Sequence, residues 1–355
     1  MVRTTRRMAG ICLVGALVGL AACAPSGSPG PRSTTTVPSS GGPVKRVSLP
    51  AIPLPPAQSY TVSADAIEAL GCDECELVGT PDAARFFYGT LPLGAVGDLV
   101  EGSAADTRVA LGNLFASGYF GGIYLRGNLS GGLADDLSPF APLLDQVGAL
   151  TQIGLDQIVG ELTRIARSGT EQEVRDATTI WSAVLAAIAG YNRGYLEVAL
   201  QHPPAGVTVD PGAFTCASLF DCRSTQLPMP ALDALAGQRD ALNGPPSFQW
   251  LTVAMAANSI GSAAIPAGRD VWTGLLGSAS FDAAGYRTII DLSVGFLEVT
   301  QAALLANLAG PTGGDLALAR RGLDATAGLV TWAGSYFLGL ASSLPNSSLP
   351  TLTCS

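Results

Sequence analysis

Apolar side chains recur at intervals of three and four along most of residues 59–355, and that spacing sets one buried stripe on each of a series of helices. Val147, Leu150, Ile158, Leu162 and Ile165 form such a stripe behind Pro139, and Arg164, Arg167 and Gly169 supply a basic end and a stop. Thr170 and Glu173 then make a capping box for a helix through Trp181, Val184, Leu185, Ile188, Tyr195 and Val198, which Pro203 ends. Almost no loop separates the two, so an antiparallel hairpin is the simplest geometry. Upstream, Ser63 and Thr80-Pro81-Asp82 open short helices, the first stopped by Gly71. Ser103 and Asp106 read as a second capping box, for a helix through Val109, Leu111, Leu114 and Phe115 toward Gly118, with Gly121 and Gly122 loosening the chain beyond it. Residues 204–228 are rich in turn formers. Helices follow over 231–242, 248–265, 281–309 and 316–343, separated by Asn243-Gly244-Pro245-Pro246, Gly277-Ser278 and Gly310-Pro311. The pattern predicts an all-α, multi-helix bundle over 59–355, either continuous or in two helical halves, 59–203 and 229–355, joined by the turn-rich loop.

The first 58 residues follow a different rule. Arg3, Arg6 and Arg7 precede a short apolar run from Ala9 to Leu20, the layout of a secretory signal. Leu20-Ala21-Ala22-Cys23 follows and resembles the lipobox of bacterial lipoproteins, in which the chain is cleaved before the cysteine and its thiol carries acyl chains such as palmitate. The resemblance covers residues 1–23. It implies a signal peptide over 1–22, lipid attachment at Cys23 and a location at the extracytoplasmic face of a bacterial cell membrane. The arginine-rich composition, with Lys45 the only lysine, looks actinobacterial. Residues 23–58 hold nine prolines after Cys23 among Ser, Thr and Gly, too little apolar surface to offset ordering entropy, and are expected to be a disordered tether.

Composition narrows the function classes. Without Arg3, Arg6 and Arg7 the basic count is 19 − 3 = 16 against 28 acidic residues, a net charge of −12. Phosphate backbones repel such a chain, so nucleic acid is excluded as a partner. Only 13 % of residues are charged while alanine and glycine abound, which points to extensive helix burial. Residues 325–355 carry no charge, and Ala327–Leu344 is apolar enough to raise a membrane span. Its glycines, Thr331, Ser335 and the lack of a basic flank favour a buried central helix instead.

His202 is the single histidine, so multi-histidine metal sites are excluded. No Gly-x-Ser-x-Gly elbow accompanies it, and a position favoured by the helix dipole is its ordinary reading. Five cysteines remain beyond Cys23. Structural disulfides are expected outside the cytoplasm, with Cys216 to Cys222 and Cys72 to Cys75 the preferred pairs and Cys354 free, or Cys354 bonded to a member of the first two. No cofactor fingerprint is present. Arg193, Glu197 and Glu298 interrupt the apolar helices, with Trp181, Tyr195 and Tyr286 nearby on theirs. Exposed faces and i,i+4 pairs explain them at least cost; a polar lining to an internal pocket is the sharper reading. The expected function is a non-enzymatic, lipid-anchored envelope protein whose helices bind an apolar ligand or a protein partner. The rival is an envelope hydrolase using a carboxylate pair, since Asp and Glu are the only abundant acid–base groups.

Overall fold

The computed structural model describes residues 87–88, 91–104, 107–128, 141–207, 214–216, 222–224, 257, 260–261, 263–270, 273, 283–309, 316–345 and 347–349. Six long helices dominate them: α1 (Leu91–Glu101), α2 (Thr107–Asn128), α3 (Ala141–Ser168), α4 (Glu171–Gln201), α5 (Ala283–Ala309) and α6 (Leu316–Ser342). The domain is all-α, with one exception inside the turn-rich stretch. There Phe214–Cys216 and Cys222–Ser224 form a two-stranded antiparallel ribbon, β1 and β2, in which Cys216 stands opposite Cys222.

α6 lies at the centre and touches each of the other five helices. Ala325, Ala327 and Trp332 on it are fully buried, so the uncharged stretch 327–344 is an inner helix of the bundle. Its burial is shared with α5, the one described helix long and apolar enough to cross a membrane; 89 % of its most apolar window is enclosed by protein. Apolar side chains from both sides of residues 204–228 join one hydrophobic cluster, from Phe87 and Leu93 through Leu185 and Leu196 to Leu297 and Trp332.

Glycine sets how closely the helices approach. On α2, a methyl group at Gly118 would collide with the Trp332 carbonyl, and one at Gly122 with the Tyr336 carbonyl and, at 2.6 Å, the Leu340 nitrogen. On α6, Gly339 lies against the Tyr119 carbonyl in the same way. α2 and α6 therefore meet backbone to backbone. Gly118, Gly121 and Gly122, expected to end or loosen the helix, instead lie within it, because the neighbour compensates what glycine loses in helix propensity.

The C-termini of α1, α3 and α4, with carbonyls that no helical N–H can reach, are closed by side chains from the C-terminal third of the chain. The Arg320 guanidinium donates to the carbonyls of Ile165, Ala166 and Gly169 at 2.9, 3.0 and 2.6 Å, capping α3. Arg321 Nε donates to Val100 O at 2.8 Å, at the end of α1. Tyr286 donates to the carbonyls of Ala199 and His202 at the end of α4. The α1 terminus also carries a Schellman turn: Gly102 adopts φ +71°, and Ser103 N–H reaches back to Asp98 O at 3.0 Å. Ser103 Oγ donates to the Asp98 carboxylate at 3.1 Å. Ser103 thus closes the helix before it instead of opening the one after, which starts at Thr107; Asp106 lies outside the described residues.

The capping box at α4 matches the expectation. Glu173 N–H donates to Thr170 Oγ1 at 3.3 Å and Thr170 N–H to Glu173 Oε2 at 2.7 Å. The hairpin does not. α3 and α4 scarcely touch; α3 packs on α6 and α4 on α5. Only Gly169 stands between the last residue of α3 and the N-cap of α4, too short a reversal to lay 28- and 31-residue helices side by side. Helical structure at 263–270 also runs past Ile265, where the sequence pattern ends it.

Candidate functional site: the two faces of α4

α4 presents chemically different faces. Its inner face buries Val174, Thr178, Ser182, Leu185, Ala189, Tyr195, Leu196 and Ala199 against the bundle. Its outer face over about three turns, Ile180, Ala183, Val184, Ala187, Ile188 and Tyr191, is uncharged and only partly covered. Ile180 is 42 % exposed. Trp181 stands beside it, half-buried, its ring packed on the edge of the core.

The segment around 257–270 lies along the C-terminal half of this face. Gly190 meets the Gly261 carbonyl, Gly194 the Ile265 carbonyl, and Gly268 the Tyr191 carbonyl, another contact in which any Cβ would clash with backbone. Ile260, 39 % exposed, therefore emerges next to the α4 strip and extends it. Beyond it the strip ends in charge. Glu197 accepts from Arg193 Nε at 3.1 Å and from Arg269 at 2.6 Å, and all three are partly exposed. The Arg193–Glu197 pair expected at i,i+4 is present, as one side of a triad that pins the neighbouring segment to α4.

Tyr195 and Tyr286 come together on the inner face, where burial, and then the neighbouring Tyr286, hold the Tyr195 phenol well above its usual range. Tyr286 uses its hydroxyl as the α4 cap. Trp181 is fourteen residues from Tyr195 on the same helix, roughly 21 Å along its axis. Glu298, buried on α5, is twelve residues from Tyr286, roughly 18 Å away along that axis. The six residues singled out from sequence therefore occupy three places: the outer strip, the charged triad and the interior. The strip itself is legible in sequence only as an apolar excess on α4, since its exposure depends on which helices pack elsewhere.

Two carboxyl groups are pushed up to about 6 by burial, Asp156 on α3 and Asp324 on α6, the latter with Arg167 pulling weakly the other way. Leu155, next to Asp156, packs on Gly334. Asp324 is ten residues from Gly334, so the two acids are separated by roughly 15 Å along α6. Glycosidic carboxylate pairs stand about 5–10 Å apart, so these two do not make one. His202 is exposed at the C-cap of α4. Cys23, Cys72, Cys75 and Cys354 lie outside the described residues.

No protein-family model matches the chain, and neither a curated protein nor a solved structure matches it. What the fold and site define is a class: a multi-helix, glycine-seamed α domain with a partly uncovered apolar strip.

Proposed function

We propose that the chain is an envelope protein held at the extracytoplasmic face of a bacterial cell membrane by lipid on Cys23, and that its helical domain docks an apolar segment of a partner protein without catalysing a reaction. The observation that carries the docking reading is the strip from Ile180 to Tyr191 with Ile260 beside it, uncharged over about three turns, where two of the four large hydrophobic side chains left exposed among the described residues come together. An acyl ligand between α2 and α6 has no support, because their backbones are in contact. A hydrolase has no support from Asp156 and Asp324, given their separation. Cys216 and Cys222 belong to the same reading as a disulfide across the ribbon, since opposed residues of an antiparallel pair lie within the span a disulfide bridges.

Photo-crosslinking in intact cells tests the docking. A photoreactive residue at Ile180 should give a discrete adduct with an envelope protein, whereas one at the exposed Gln157 of α3 should not; equal labelling at both positions would end the reading. Fractionation tests the anchor. Cys23→Ala should release the protein from membranes washed with carbonate, and retention would show that another element holds it. Peptide mapping without reductant should find Cys216 linked to Cys222.

A further inference from the structure

The inner face of α4 carries hydroxyl groups in an unusual state. Helical threonine ordinarily turns its hydroxyl back to the carbonyl four residues earlier, and here Thr163, Thr179, Thr288, Thr326 and Thr331 do so, to Val159, Arg175, Ala284, Gly322 and Ala327. Thr178, Ser182 and Thr300 do not. Their hydroxyl oxygens are enclosed and have no protein partner, and the same is true of Gln301 Nε2 and Asn307 Oδ1. All five residues are at most 1 % exposed.

They also share one region. α4 and α5 run antiparallel, since Tyr286 meets Ala199 and His202 while Tyr195 meets Ser293. Continuing that register at equal rise per residue sets Thr178 level with Asn307, and Ser182 within about a turn of Thr300 and Gln301. α6 closes the third side, where Asn307 Nδ2 donates to Thr326 Oγ1 at 2.6 Å and Thr326 passes the bond on to Gly322 O. The five groups are themselves neutral, offer both donors and acceptors, and are enclosed by protein, with the buried Glu298 carboxyl one helical turn before Gln301 on α5.

We propose that this seam between α4, α5 and α6 is an internal binding site for ordered water, with Thr178, Ser182, Thr300, Gln301 and Asn307 as its ligating groups. Water is the ligand whose chemistry fits: small enough for a closed interior, neutral, and able to accept from Gln301 Nε2 while donating to Asn307 Oδ1. Threonine and serine that relinquish their own helix's carbonyl gain nothing unless another partner is present, and a chain of water supplies one to each.

Thr178→Val and Thr300→Val in the full chain distinguish a ligand from an unused hydroxyl, because valine has the shape of threonine without its oxygen. If water is bound, each substitution removes one of its anchors and should lower the melting temperature by about 2–4 °C. If the hydroxyls are merely buried, removing an unsatisfied polar atom should raise the melting temperature or leave it unchanged, which would overturn the proposal. Thr163→Val, at a hydroxyl bonded to Val159 O, calibrates the loss of a single ordinary bond. High-resolution crystallography gives the second reading: density within hydrogen-bond reach of Thr178 Oγ1 and Asn307 Oδ1 supports the site, and a continuous protein contact there overturns it.

Discussion

Asp156 and Asp324 make folding sensitive to pH in the direction opposite to most surface acids. Burial raises both to about 6, above the ordinary carboxyl value near 4 that the unfolded chain would show. The folded protein therefore binds these protons more tightly, and its stability rises as pH falls from about 6 toward 4. Glu173 opposes this at lower pH. The Thr170 N–H, Arg164 and the Thr170 hydroxyl hold it down at about 2, so its contribution is complete above about 4.5 and is lost as pH approaches 2. Urea midpoints should accordingly be higher at pH 5 than at pH 7 and should fall again by pH 3. In Asp156→Asn/Asp324→Asn the difference between pH 5 and 7 should shrink; an unchanged difference would place its origin elsewhere. Neither acid is distinguishable in sequence from those on exposed faces, because its burial is decided by α6 packing on α3. Glu173 is the contrary case: its partner is three residues away, and the capping box is readable from the chain alone.

Among elements, the helices whose ends are marked locally are the ones the sequence locates well. α4 begins at its Thr170 box and stops before Pro203, and α5 and α6 lie within a residue or two of the expected bounds at 281–309 and 316–343. Where a boundary depends on a distant partner, local signals mislead: Gly122 lies within the helix where α6 packs on it and Gly121 where the Tyr88 ring does, and nothing near Ile165 announces that Arg320, 155 residues later, caps it. The two kinds of closure should differ in magnitude. Thr170→Ala should cost about 1 kcal/mol, as exposed N-caps do. Arg320→Ala, which strands three carbonyls in a partly buried joint, should cost about 2–3 kcal/mol by denaturant unfolding. Glycine positions divide similarly. Gly122→Ala forces a methyl group onto the backbone of α6 and should destabilise by about 3 kcal/mol. Gly94, exposed inside α1 with nothing within 4 Å of its missing Cβ, should gain about 0.5–1 kcal/mol on substitution by Ala. Equal effects at Gly94 and Gly122 would contradict the close approach of α2 and α6.

At the scale of the whole molecule, the partner that α1, α2, α3, α4 and α5 have in common is the last long helix described along the chain. Order of emergence then matters. A polypeptide delivered N-terminus first presents five helices with exposed apolar stripes before the residues that cover them arrive, and contacts such as Tyr119 with Ser342, 223 positions apart, close only at the end. Until then the five helices have only one another, chiefly α4 on α5, and lack the helix they share. A chain terminated after Gly310 should accordingly be no better protected from protease than one terminated after Ser168, although it retains five of the six long helices. If the longer fragment resists digestion, the bundle can be assembled in stages and its final helix is an addition. If it does not, folding is a single late event, and the last forty-odd residues act as the trigger that commits the preceding ones.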